Sequence, residues 1–149
     1  VRRTNIDQKI HRIEKLVYRD LQTLDLVAGV DLSASKDNPD FACVAVIIYS
    51  IQQKTVVYED SEHLNQPTYI PGFLAFREVP PLYAMLSKLK NEKHNFITIN
   101  LTDGNGILHS NYCGLASHLG VLLDTPTVGA GKTLFYIDGL TKEKVKENC

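Results

Sequence analysis

The longest wholly apolar stretch of the chain, residues 41–49 (Phe-Ala-Cys-Val-Ala-Val-Ile-Ile-Tyr), is rich in β-branched residues. It is far shorter than the roughly 20 residues a membrane helix requires, so it reads as a buried strand. Similar runs flank it at residues 24–33 and 54–59, across the connections Ser-Ala-Ser-Lys-Asp-Asn-Pro-Asp and Ile-Gln-Gln, which are short enough for hairpins. Three sequential antiparallel strands are therefore expected. Upstream, Ile6, Ile10, Ile13, Leu16, Val17 and Leu21 recur at three- and four-residue intervals, the spacing of one helix face, and predict an amphipathic helix over residues 5–21. Downstream, residues 60–69 are polar and carry Pro67, which predicts a connecting loop. Pro71 can start a helix through residues 73–78, and Pro80-Pro81 permits a fresh start with Leu82, Met85, Leu86 and Leu89 on one face. A kinked helix or two short ones follow. Residues 96–101 read as a strand, 112–122 as a short helix and 125–128 as another strand, the rhythm of a parallel pair. Residues 142–149 resemble the first turns of a further helix.

With 149 residues, 44% hydrophobic and 22% charged, the composition suits one globular core and is too short for two comfortable domains, so residues 1–149 are expected to form a single domain. A formal charge of −1 gives no global attraction to polyanions, and any nucleic-acid contact must come from a local patch and from metal ions. No membrane span and no basic-then-apolar signal segment is present in the sequence, and the default expectation is a reducing cytoplasmic or nuclear setting, the nucleolus included. Cys43, Cys113 and Cys149 have no spacing suited to a zinc site or a redox pair. Cys43 and Cys113 read as small buried residues. The chain begins without Met and stops within a helical pattern, from which a fragment lacking its C-terminal part is expected.

Three acidic residues occupy places where a core would avoid charge. Asp31 ends the apolar run at residues 24–30, Glu78 interrupts residues 73–86, and Asp103 follows residues 96–101 into a Gly-Asn-Gly turn. Singly, an aspartate at a strand end more often forms a turn or caps a helix. Three carboxylates on core-like elements need a common compensating partner. Magnesium is the natural one, a hard cation held by one or two carboxylates together with substrate phosphates. The element order, an antiparallel trio extended by parallel strands, is the plan of ribonuclease H-like nucleases, whose carboxylates come from the first strand, the first crossover helix and the fourth strand. Asp31, Glu78 and Asp103 occupy those elements. The expected fold is α/β, a mixed five-stranded sheet of three antiparallel and two parallel strands flanked by helices.

The local sequences are more specific. Val27-Ala28-Gly29-Val30-Asp31-Leu32-Ser33, Tyr69-Ile70-Pro71-Gly72-Phe73-Leu74-Ala75-Phe76-Arg77-Glu78 and Asp103-Gly104-Asn105-Gly106-Ile107-Leu108-His109, with Ser117-His118-Leu119-Gly120 and Val128-Gly129-Ala130-Gly131-Lys132, closely resemble the endonuclease V family. The resemblance implies an enzyme that recognises inosine and cuts the second phosphodiester bond on its 3′ side, leaving 3′-hydroxyl and 5′-phosphate ends. Its substrate would be inosine-containing single-stranded RNA, or deoxyinosine in DNA, with Mg2+ or Mn2+ as cofactor and a monomeric protein. The animal-like Phe-Leu-Ala-Phe-Arg-Glu-Val-Pro and Asp-Gly-Asn-Gly segments tilt the expectation towards RNA. By position, Asp31, Glu78 and Asp103 look like the metal carboxylates, Lys132 like the cation near the scissile phosphate, and His109 like a supporting histidine. Tyr69, Ile70 and Pro71 resemble the wedge that replaces the displaced base. Gly72, Leu74, Gly104 and Gly106 would line the base pocket, where glycines let main-chain groups approach the extruded purine.

Other side chains carry plainer expectations. His118 lies among Leu115, Leu119 and Leu122 and reads as a packing histidine, His63 as solvent-facing, and the alternating charges of residues 142–147 as a solvated helix face. Two rival functions stand beside the nuclease. Gly129-Ala130-Gly131-Lys132-Thr133 ends like a nucleotide triphosphatase loop, but that loop needs a further glycine where Pro126 stands. The other is an inosine-binding module without cleavage, since family members continue beyond this point with residues that complete the metal site. In that case one sheet face would be left uncovered, favouring aggregation or a partner.

Overall fold

Alternation of side chains along the strands builds a sheet with one buried face and one open face. A computed structural model describes residues 24–35, 37–38, 41–65, 74–92, 98–136 and 139–147. The strands β1 (Leu26–Ala34), β2 (Phe41–Ser50), β3 (Thr55–Asn65), β4 (Ile99–Asp103) and β5 (Thr127–Ala130) lie in the order β3-β2-β1-β4-β5. Pairings β1 with β2 and β2 with β3 are antiparallel, and β1 with β4 and β4 with β5 are parallel, as the sequence predicts. The helices are α1 (Leu74–Glu92), α2 (Leu115–Leu123) and α3 (Lys142–Glu147). The predicted helix over residues 5–21 and the wedge at Tyr69, Ile70 and Pro71 lie outside the described residues.

The core sits between the sheet and the helices α1 and α2. Ala28 and Val30 of β1 and Val44, Val46 and Ile48 of β2 meet Val79, Leu82, Leu86 and Leu89 of α1 and Leu115, Leu119 and Leu123 of α2. Side chains on the opposite face of the sheet stay in water: Ile47 of β2 is 46% exposed, Leu101 of β4 44% and Val128 of β5 44%. The unbroken apolar run at residues 41–49 thus corresponds to a strand covered on one face rather than on both. Cys43 and Cys113 are half-buried rather than buried, Cys43 because its place in the alternation falls on the open side of β2.

Two elements differ from expectation. β3 continues through Asn65, where a loop was expected, because the polar residues Glu59 to His63 pair in register with the apolar strand β2 at the sheet edge. Edge strands tolerate and exploit such charge. Residues 74–92 form one helix with Pro80 and Pro81 inside it. Pro80 and Pro81 lie past the first turn, so two intrahelical amide bonds are lost, and burial of Val79, Leu82, Leu86 and Leu89 against the sheet holds the helix together across them. Among the described residues no helix is long and apolar enough to cross a membrane.

Candidate functional site

At the C-terminal ends of β1 and β4, neighbouring parallel strands bring two aspartates side by side. Val30 pairs with Thr102, so the next residues along, Asp31 and Asp103, follow together onto the open face, where both border one shallow depression with Gly29, Ala45, Ile47, Leu101 and Ala130. Both aspartates are exposed. They are therefore not the buried charges the sequence suggested, because strand alternation turns them to the open face, opposite the core residues Val30 and Thr102 beside them.

Glu78 reaches the same place from the other layer. It lies on the α1 stripe one turn before Leu82, in line with Met85 and Leu89, so the stripe that packs the core runs out at the sheet end with a carboxylate on it. Its acidity shows where it sits: burial first, then the charges of Asp103 and Asp31, push its pKa from 4.5 up to about 7, against the opposing pull of Arg77. A half-buried acid raised by two like charges is a site short of positive charge. The donor set, carboxylate oxygens alone, suits a hard divalent cation such as Mg2+ or Mn2+. Among the described residues no three His, Cys, Asp or Glu side chains stand close enough to form a ready cage. Glu78, Asp103 and Asp31 are thus electrostatic neighbours rather than a preformed ligand set.

Beside the trio, the turn after β4 is fastened into its surroundings by main-chain packing. Gly104 has φ of 100°, a conformation other residues rarely adopt, and its amide donates to Ala130 O at 3.2 Å. Ala116 N donates to Asn105 O at 3.1 Å and Gly114 N to Gly106 O at 2.8 Å, joining the turn to the start of α2. Lys132 follows two residues after Ala130, the register partner of Asp103, and is exposed. It extends from the strand end adjoining the trio.

A cavity of about 370 Å³ opens next to this turn, lined by Asn105, Gly106, Ser117, Thr127, Gly131 and Phe135 among others. That volume lies within the roughly 300–1,000 Å³ usual for small-molecule pockets. Of the predicted base-pocket residues Gly106 lines it; Gly104 packs against Leu115 behind it; Gly72 and the Leu74 side chain lie outside the described residues. His109 is not gathered with the carboxylates: it is half-buried, its Nδ1 accepts from Asn111 N at 3.3 Å, and its ring meets Phe135 edge-on at 5.5 Å. Through Phe135 it borders the cavity.

His118 is half-buried, edge-on to Phe76 at 5.6 Å, with its pKa lowered by burial, as suits a packing residue. His63 is exposed and stacks on Phe41, and α3 buries none of its side chains. Sequence reasoning missed Arg77, Asn105 and Gly129. The first was legible as the cation preceding Glu78. The others stand in segments that carry the family resemblance, but their packing was not legible there, since the close approach of Gly129 to the Gly104 carbonyl exists only once β4 and β5 pair.

Comparison with known proteins adds a second line of observation. The family model for Endonuclease V matches residues 5–149. Endonuclease V of Homo sapiens is 41% identical over 130 residues, 83% of this chain and 46% of that protein. The Mus musculus protein is 40% identical over 129 residues, 82% of this chain and 38% of that protein. The chain thus spans about half the length, or less, of these relatives. Among solved structures, the catalytic domain of human Endonuclease V superposes with a TM-score of 0.75 at 34% identity, covering 97% of this chain and 64% of that one. Ciona intestinalis Endonuclease V, in complex with a 23mer DNA containing an inosine followed by a ribo-adenosine, gives 0.74 at 33% identity, covering 97% and 65%. A matched family model over nearly the whole sequence, on a fold shared with solved Endonuclease V structures, establishes that this chain belongs to the Endonuclease V family.

Proposed function

We propose that this chain is a metal-dependent endonuclease that cuts the second phosphodiester bond 3′ to inosine in single-stranded RNA, or to deoxyinosine in DNA, leaving 3′-hydroxyl and 5′-phosphate ends. The observation that carries the reading is the side-by-side placement of Asp31 and Asp103 on neighbouring parallel strands, with Glu78 of α1 within their electrostatic reach and a cavity of purine-compatible size beside the turn after Asp103. Family membership and the inosine-containing DNA bound by the Ciona protein support the substrate class. Its RNA arm rests on the animal-type motifs.

In this reading Asp31, Glu78 and Asp103 hold Mg2+, with Mn2+ as a substitute. A divalent ion bound there would supply Lewis acidity, making water a better nucleophile and offsetting charge on the leaving oxygen. Lys132 brings a further cation to the phosphate, where developing charge is stabilised by preorganised donors. The cavity takes the extruded base, and Gly106 lets the main chain come close to its edge. Tyr69, Ile70 and Pro71 fill the space the base leaves, with an aromatic face for stacking.

The test is incubation with inosine-containing single-stranded RNA or DNA and Mg2+, with Asp31→Asn as control. Cleavage by the parent alone supports the enzyme. A second reading, inosine binding without cleavage, is favoured by the absence of a ready three-ligand cage among the described residues. Binding without cleavage would select it, and indifference to inosine would defeat both.

A further inference from the structure

Helix α2 turns two unlike faces to its surroundings. Leu115, Leu119 and Leu123 are buried in the core, whereas Ala116, Ser117, Gly120 and Val121 wall the cavity beside the turn after β4. Small side chains on that face leave the space open, and Gly120 is held small because a β-carbon there would come within 3.1 Å of Thr127. Among the described residues none of the side chains lining the cavity is ionisable, and Phe135 contributes an aromatic ring. Such walls suit a neutral planar ring and offer no counter-charge to a phosphate.

The Ser117 hydroxyl on this wall has nothing in the protein to bind. Ser117 is 9% exposed, and among the described residues its hydroxyl makes no hydrogen bond, not even to the carbonyl one turn back that helical serines often use. The Thr127 hydroxyl on the same cavity is fully engaged: it donates to Thr125 O at 3.1 Å and accepts from Asn100 Nδ2 at 3.3 Å. Buried hydroxyls are paired as a rule, because an unpaired one gives up its hydration without return. Ser117 Oγ lies 3.7 Å from where a β-carbon on Gly106 would stand, so the hydroxyl and the Gly106 main chain lie side by side along the cavity.

We propose that Ser117 is a base-reading residue: its hydroxyl donates a hydrogen bond to O6 or N7 of the extruded purine, the edge of hypoxanthine that offers acceptors only. The assignment rests on the nuclease reading only in taking the cavity as the seat of the base. Loss of the hydroxyl leaves that acceptor buried and unpaired in the complex, so the cost falls on binding. The ligand-free protein loses nothing, because no protein group depends on the hydroxyl and alanine is the better helix former. A serine kept for folding would behave in the opposite way.

The experiment measures affinity by fluorescence anisotropy in the Asp31→Asn background with Mg2+, with and without Ser117→Ala. The strands are single-stranded RNA and DNA carrying at one position inosine, 7-deazainosine, which lacks N7, purine riboside, which lacks O6, or adenosine. Ser117→Ala is expected to weaken inosine binding about five- to tenfold, the worth of one buried hydrogen bond. Adenosine strands, held through their phosphates, are expected to change within about twofold. On the analogue that lacks the acceptor the effect of Ser117→Ala is expected to shrink to within about twofold, because the bond is already missing. The urea midpoint of the ligand-free protein is expected to stay level or rise. Unchanged inosine affinity, as for a hydroxyl that meets only solvent, would overturn the proposal; so would equal losses on inosine and both analogues, or a lowered midpoint. Equal binding of inosine and adenosine strands before Ser117 is changed overturns it together with the nuclease reading. A chain that prefers inosine but cuts nothing sinks the nuclease alone, and the same affinity ratios still decide Ser117.

Discussion

Glu78 concentrates the physics of the site in one side chain. Its pKa near 7, against 4.5 for an ordinary glutamate, means that the folded chain holds a proton the unfolded chain has released. Below about pH 4.5 the group is protonated in both states and costs nothing; as pH climbs from 4.5 to 7 folding must retain or forgo that proton and stability falls; above 7 the penalty is complete. Thermal midpoints measured from pH 5 to 8 without divalent cations are therefore expected to fall, and Glu78→Gln is expected to flatten that limb. An equal slope in both proteins would contradict the assignment. Asp31→Asn and Asp103→Asn should abolish cleavage by at least a hundredfold while changing stability by no more than about 0.5 kcal/mol, since both side chains are exposed. The three acids were legible as a set from their places in the sequence. That two are exposed was not, because a strand's apolar run does not reveal which of its faces is covered.

Helix α1 carries both the core stripe and Glu78, and its footing depends on α2. Lys90 near the end of α1 donates to Leu123 O at 2.8 Å and lies 3.4 Å from Thr125 Oγ1, satisfying a carbonyl at the end of α2. Asp124 ends that helix in a left-handed conformation, with φ of 50°. Lys90→Met should cost about 1–2 kcal/mol in urea unfolding through the lost charge-assisted bond, and an unchanged midpoint would show the bond to be worth nothing. The three antiparallel strands follow from apolar runs and short connections, the parallel pair β4 and β5 from the strand-helix-strand rhythm, and the mixed sheet that joins them from the ribonuclease H-like plan. Element ends were less legible: β3 outran its apolar run because edge pairing needs only main-chain groups, and α1 passed through Pro80 and Pro81 because burial of Leu82 and Leu86 outweighs two missing amide bonds.

Among the described residues the molecule is asymmetric, with α1 and α2 packed on one sheet face and apolar side chains exposed on the other. Leu82→Ala, at a position 1% exposed, should cost about 2–5 kcal/mol, whereas Ile47→Lys, at one 46% exposed, should cost about 0.5 kcal/mol or less. Equal costs in denaturant titrations would show that the open face is packed in solution. The site lies at the end of this sheet, where elements from both layers arrive, which is why only topology gathers residues so distant along the chain. Its central claim is that Asp31, Glu78 and Asp103 share one divalent ion. The most direct measurement is calorimetric titration with Mn2+ at pH 6.5 in two buffers of different ionisation heat. The account predicts one saturable site that releases a fraction of a proton, the proton being lost in Glu78→Gln and binding itself in Asp103→Asn. Binding that is absent, or that survives both changes unaltered, would contradict it.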